Sequence, residues 1–239
     1  MSTIKHILFD LHGTLVDSTR LRPYIAAGVG QLMAARYGHE ASEWAQAYAH
    51  IQADWHSYFA DLHLSGDEGM ANLREGLFRT TRALFRLMAT PEPDPQEIHN
   101  VATLLASESA VVQQDVLFAD VLPMLEKICQ LTMKCHIYGD TFARQAWTLV
   151  NSAGIGQHFE HVFGVDTMAQ LDRDANSYGL IAMRCQSAAG ACLVVDDDMR
   201  HIQAAKASGM KAIHLARKQT SAHENSLESL EALVDWLEM

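Results

Sequence analysis

Asp10, His12 and Thr14 stand at alternate positions of the segment Asp10-Leu11-His12-Gly13-Thr14, directly behind the apolar run Ile7-Leu8-Phe9. Such a run predicts a short buried strand, and Gly13 permits a tight turn that swings Asp10 and Thr14 toward one space beyond the strand's end. A carboxylate placed there can attack an electrophile, and an imidazole with an unperturbed pKa of about 6.5 can move protons near neutrality. A second acidic tip, Asp196-Asp197-Asp198, follows Leu193-Val194-Val195. Three carboxylates at a buried strand's end repel one another. A hard divalent cation such as Mg²⁺ is the usual remedy, with one of the three left to cap the next helix.

The elements that must position these residues fall into two kinds. From about Leu21 to Val112 the pattern is helical only, with Trp44, Tyr48, Ile51, Trp55 and Phe59 on one face and Leu73, Leu77, Phe78, Leu84, Phe85 and Met88 on another. The spacing predicts helices over 21–37, 42–60, 68–89 and 94–110, broken at Gly38, at Gly66 and at the proline-rich 90–95 stretch. Four such helices make a small bundle whose aromatic stripe is core. From Leu117 onward helices (121–128, 142–152, 178–185, 199–208, 227–237) alternate with strands (135–138, 161–164, 191–195, 211–215). That alternation predicts an α/β fold, a Rossmann-like parallel sheet with helices on both faces. The expected organisation is therefore a core domain of residues 1–18 and 113–239 with an all-helical cap inserted at 19–112.

Composition narrows the function. With 49% hydrophobic residues and 20% charged ones the chain is ordinary for a globular protein, and no apolar run approaches a bilayer span. No leader-like segment precedes the first strand, which predicts a cytoplasmic location. Cys129, Cys135, Cys185 and Cys192 lack C-x-x-C spacing and sit mostly in apolar stretches, so buried free thiols are expected. A net charge of −11 argues against nucleic acid and acidic membrane as partners and leaves a small molecule, received in a locally positive pocket or by a metal.

Asp10-x-His12-Gly13-Thr14 resembles the first motif of the haloacid dehalogenase superfamily, normally Asp-x-Asp-Gly-Thr, and Asp196-Asp197-Asp198 with Ala204-Ala205-Lys206-Ala207-Ser208-Gly209-Met210 resembles its acidic fourth motif. The resemblance implies the Rossmann-like core with a helical cap, Asp10 as covalent nucleophile and His12 as proton shuttle. It also implies Mg²⁺ on Asp10, the His12 carbonyl and Asp196 or Asp197. Gly139-Asp140-Thr141 stands where the second motif places a hydroxyl residue to grip phosphate, with Thr14 nearby and the following helix's N-terminus as a further anion donor. No lysine occurs between Lys134 and Lys206, so Arg173 is the nearest substitute for the third motif's lysine. His201 stands where a second carboxylate or Asn is usual.

Three functions follow from that resemblance. The first is a Mg²⁺-dependent phosphatase acting on a small phosphorylated metabolite through an aspartyl intermediate. The second is a metal-independent, dehalogenase-like attack at carbon, with Arg20 or Arg22 gripping a carboxylate or halide from the cap side. The third is a catalytically impaired protein of the same fold that binds without turnover.

Overall fold

The computed structural model describes residues 4–217 and 226–238. Ile7-Leu8-Phe9 lies in β1 (His6–Phe9), and all four of its residues are buried, as a strand covered on both faces requires. β2 (Lys134–Tyr138), β3 (Phe159–Phe163), β4 (Cys192–Asp196), β5 (Lys211–Leu215) and the two-residue β6 (Ser226–Leu227) complete a six-stranded sheet of order β3-β2-β1-β4-β5-β6. Every pairing is parallel. Phe9 lies beside Ile137 on one side and Val195 on the other, so β1, β2 and β4 end together. The chain leaves β1 for β2 on one flank and later reaches β4 on the opposite flank. This is the topological switch point at which such sheets bind ligands.

Between β1 and β2 lie α1 (Ser18–Tyr37), α2 (Ala41–Ala53), α3 (Gly69–Leu87) and α4 (Pro95–Glu108), the helical insert that the periodicity predicts. Asp17 caps α1 through the Thr19 N–H, and Asp94 caps α4 ahead of Pro95. The helix expected over 42–60 is two pieces, because Asp54 leaves helical geometry and a 3₁₀ turn, Trp55–Phe59, follows. That turn lays the Phe59 ring against Gly76 of α3, where an added Cβ would come within 1.9 Å of the ring. Trp44 and Ile51 of the stripe are fully buried, with Trp44 meeting Phe85 edge-on at 5.8 Å, whereas Tyr48 and Trp55 are only half-buried.

The sheet is covered by α5 (Val121–Ile128), α6 (Ala143–Ser152), α7 (Val165–Met168), α8 (Ala175–Arg184), α9 (Met199–Ala207) and α10 (Leu230–Glu238). One apolar cluster joins Ile7, Phe9 and Leu193 of the sheet to Trp44 and Leu84 of the insert. The smaller cluster, on the other face, contains Leu8, Tyr138, Tyr178 and Ile202. Leu227 belongs to β6 rather than to the last helix, and β6 and α7 are too short to leave a periodic signature. Cys135 and Cys192 are buried free thiols, but Cys185 is half-buried and Cys129 exposed, against expectation. Among the described residues no helix is long and apolar enough to cross a membrane.

Candidate active site

Asp10 follows β1, Gly139 and Asp140 follow β2, and Asp196 closes β4, so all four meet at the carboxyl edge of the sheet. The loop after Asp10 is wound tightly. Leu15 and Val16 donate their N–H groups to the Leu11 carbonyl, and Gly13 donates to the Val16 carbonyl. Gly13 has φ +89°, and a Cβ there would lie 2.3 Å from Asp197 Oδ2. Glycine is therefore required both by backbone conformation and by the approach of the acidic tip.

Arg173 lies across this edge. Its side chain is 3% exposed; Nη1 donates to Asp10 Oδ1 at 2.7 Å, and Nη2 donates to Asp196 Oδ2. The Tyr138 ring lies under the guanidinium at 4.7 Å, and the Tyr178 hydroxyl sits 3.4 Å from Nη2. Asp140, more exposed, is 3.7 Å from Nη1. Two buried carboxylates would cost several kcal/mol or be driven to protonate without such a partner. Burial pushes the Asp10 carboxyl up and Arg173 opposes that, while Asp196 and Asp197 push it further up. Asp10 Oδ2 receives no hydrogen bond from any described residue.

The Arg173 guanidinium thus lies between Asp10 and the acidic tip, where the sequence predicts a divalent cation. Oxygens of Asp10, Asp196 and Asp197 do lie within 4.8 Å of one another. Asp196 is engaged at both oxygens, since Oδ1 accepts from the Asp198 N–H at 2.8 Å, Oδ2 from Arg173, and His201 Nδ1 stands 3.2 Å from both. Magnesium demands nearly octahedral oxygen coordination at about 2.0–2.1 Å. Asp10 Oδ2, unbonded among the described residues, and the Asp197 carboxylate are oxygens of this group that Arg173 does not engage. Asp198 supplies the expected helix cap, accepting the Arg200 N–H, and Arg200 holds its carboxyl down at about 2.

At the Gly139-Asp140-Thr141 turn, the expected phosphate cradle, one backbone donor and the hydroxyl make internal bonds. Gly139 donates its N–H to the Phe163 carbonyl at 3.3 Å, and the Thr141 hydroxyl bonds Gln145 Oε1. The Ala143 N–H at the start of α6 is taken by Asp166 Oδ1 at 2.7 Å, so that helix terminus does not offer this donor to an anion. Thr14 is fully buried, and its hydroxyl has no partner among the described residues. Arg20 turns away to the Asp115 carbonyl at 3.0 Å and to Asp17. Arg22 instead lines a cleft of about 530 Å³ between insert and core, with Tyr48, Trp55, Leu77, Asp140 and Thr141. His12 is half-buried and lines two smaller cavities of about 380 and 100 Å³. Desolvation lowers its pKa, with Asp140 opposing.

A family model for haloacid dehalogenase-like hydrolases matches residues 4–209. The chain belongs to that family. None of the curated proteins matches it. Among solved structures it resembles the L-2-haloacid dehalogenase of Xanthobacter autotrophicus with chloropropionic acid covalently bound (TM-score 0.58, 17% identity, covering 99% of both chains). It also resembles the 2-haloacid dehalogenase of Pseudomonas syringae pv. Tomato DC3000 (0.62, 19%, 99% of both). A third is the magnesium-bound HAD-hydrolase YfnB of Bacillus subtilis (0.61, 14%, 99% of this chain and 100% of that one). At such identities the likeness establishes the shared fold. Membership makes the chain a hydrolase of this superfamily, as its motifs predict.

Tyr138, Tyr178, Gln145 and Asp166 were not singled out by sequence reasoning. Tyr138 carries a local signal, being the last residue of a strand that ends at Gly139. The other three reach the site only through tertiary packing.

Proposed function

We propose that this family member hydrolyses a carbon–halogen bond without a metal, on a small halogenated carboxylic acid. The observation that carries this reading is Arg173 bridging Asp10 and Asp196 at the sheet edge. Nη1 fixes Oδ1 and leaves Oδ2 to attack the halogen-bearing carbon; the carbon–halogen electron pair departs with the halide, and an aspartyl ester results. Oδ1 is then the ester carbonyl oxygen, already facing an N–H donor. When water adds, the oxyanion forms on that atom, and one preorganised donor of this kind is worth about 10²–10³ in rate. The attacking water gives its proton to His12, whose lowered pKa keeps it neutral and basic at pH 7. The departing alkoxide takes that proton back, and Asp10, left as a carboxylic acid, loses its proton to solvent.

A halide leaves without being protonated, whereas an alkoxide leaving phosphate needs an acid that a neutral His12 cannot supply. The Thr141 hydroxyl, bonded to Gln145, and the Gly139 N–H, bonded to Phe163, point the same way. Arg22 in the cleft suits a carboxylate, and the cleft's aromatic and aliphatic wall suits an apolar substituent.

The test is halide release from 2-chloropropionate with a metal chelator present, set against phosphate release from an aryl phosphate with Mg²⁺. Halide release under chelation that disappears in Asp10→Asn is the expected result. Magnesium-dependent phosphate release alone would establish the phosphatase instead. Silence in both assays, with thermal stabilisation by a ligand, would leave a binding protein.

A further inference from the structure

We infer that a soft divalent metal, with Zn²⁺ as the best match, binds to His6, His136 and Cys185 on the sheet face opposite the large apolar cluster. This inference does not depend on the hydrolytic reading. His6 opens β1 and His136 pairs with Leu8, so both side chains emerge on the face of the smaller cluster, two residues or more short of the catalytic edge. Cys185 ends α8, which packs on that face.

His6 Nδ1 stands 2.9 Å from His136 Nε2, and Cys185 Sγ stands 3.9 Å from the same nitrogen. Tetrahedral zinc, at about 2.0–2.1 Å from nitrogen and about 2.3 Å from sulfur, places nitrogen ligands about 3.3 Å apart and nitrogen and sulfur about 3.6 Å apart. The two distances to His136 Nε2 lie within a few tenths of an ångström of that spacing, and all three donors lie within 4.8 Å of one another. His136 is fully buried, and its Nδ1 has no partner among the described residues. The imidazole of His161 on β3 stacks on His136 at 5.4 Å, and His136, Glu160 and His161 form a second, overlapping set of donors. His6 and Cys185 flank His136 toward solvent, with His6 nearly buried and Cys185 half-buried, which gives an ion a way in. A histidine–thiol pair of donors selects zinc-like ions over magnesium. Without metal, one ring N–H is shared between His6 and His136; on binding, that proton shifts to the ring nitrogen facing away from the ion and the Cys185 thiol gives up its own, so uptake releases one proton.

Tag-free full-length protein titrated with Co²⁺ should give thiolate-to-metal absorption in the near ultraviolet together with tetrahedral visible bands, saturating at one ion per chain and bleached by Zn²⁺. Cys185→Ser should remove the thiolate band. Cys129 also touches a histidine, His158 Nδ1 at 3.0 Å, and is the proper control. Cys129→Ser should leave the spectrum unchanged. Loss of the band in Cys129→Ser, its persistence in Cys185→Ser, or no thiolate band in the wild type would each overturn the assignment. His6→Gln, at the edge of the cluster, should weaken Co²⁺ binding at least tenfold while leaving halide release as in the wild type.

Discussion

Two arginines bridge acidic residues at the ends of this sheet, and their surroundings differ in kind. Arg217 donates both terminal nitrogens to Asp120 at 2.8 and 2.9 Å, reaches the Thr14 carbonyl at 2.7 Å and lies over the Phe118 ring at 4.0 Å. Asp120 also accepts the Leu230 N–H, so one acid is matched to one base and each is bonded throughout. Arg173 faces Asp10 and Asp196 with Asp140 close by, which leaves negative charge in excess, and its Nε is buried with no partner among the described residues. A balanced cluster fastens the loop after Asp10 and the start of α10 to the core. The unbalanced one keeps a carboxylate oxygen free beside a fixed N–H, which is the arrangement that nucleophilic catalysis uses. Under the proposed function, stability and chemistry fall to different arginines, and substitution can separate them.

The largest effect belongs to Arg173→Met. Removing the oxyanion donor should lower turnover by about 10²–10³. Stranding two buried carboxylates should destabilise the fold by about 3–5 kcal/mol at pH 8. In that variant the carboxyl pKa values rise above their unfolded values. Stability is therefore lost as pH rises and recovered as pH falls, which urea titrations at pH 5 and 8 would read. Arg217→Met should cost about 1–3 kcal/mol and leave turnover per folded molecule unchanged. Loss of turnover in a folded Arg217→Met protein would end the distinction.

His12 comes next. Alkylation of Asp10 needs no base, whereas ester hydrolysis does, so His12→Ala should slow steady-state turnover by about 10²–10⁴ while the ester accumulates. Intact-protein mass spectrometry after mixing with 2-chloropropionate reads that adduct directly. A slow variant without adduct would place His12 outside the hydrolytic step. Both groups act deprotonated, Asp10 with a raised pKa and His12 with a lowered one, so turnover should rise from acid pH to a plateau with no alkaline fall from either.

How much of this was readable from the chain depends on the range of each interaction. Strand ends at Asp10 and Asp196, and helix starts at Asp17, Asp94 and Asp198, are local facts written by an apolar run or a capping side chain. The break at Asp54 is different, because it answers to Gly76 on another helix, and its neighbours carry no glycine or proline to announce it. Arg173 is the nearest substitute for the third motif's lysine, but its bridge spans 163 residues to Asp10 and 23 to Asp196, and no periodicity encodes it. The acidic tip read alone asks for a cation, and the guanidinium that meets it in the fold comes from a residue no local pattern ties to it. Arg20 and Arg22, two residues apart on α1, could be told apart only once Asp115 was seen to hold one of them.

The smallest effect sharpens the site's geometry. A Cβ added at Gly139 would lie 3.7 Å from Leu11 Cβ and 3.9 Å from Asp10 Oδ1, ordinary van der Waals contact, in contrast to the collision that awaits one at Gly13. Gly139→Ser should therefore fold with its stability changed by less than about 1 kcal/mol, as is usual where no cavity, clash or buried charge is created. The new hydroxyl would sit beside the oxygen that Arg173 already holds, and a neutral hydrogen bond is worth about 0.5–1.5 kcal/mol. If that bond tightens as charge gathers on Oδ1 during ester hydrolysis, turnover should rise by about twofold to tenfold with little change in KM. A large loss of turnover in a well-folded Gly139→Ser protein would mean that the hydroxyl obstructs the incoming carbon. In that event substrate approaches Asp10 from the β2 side rather than from the cleft beneath the insert.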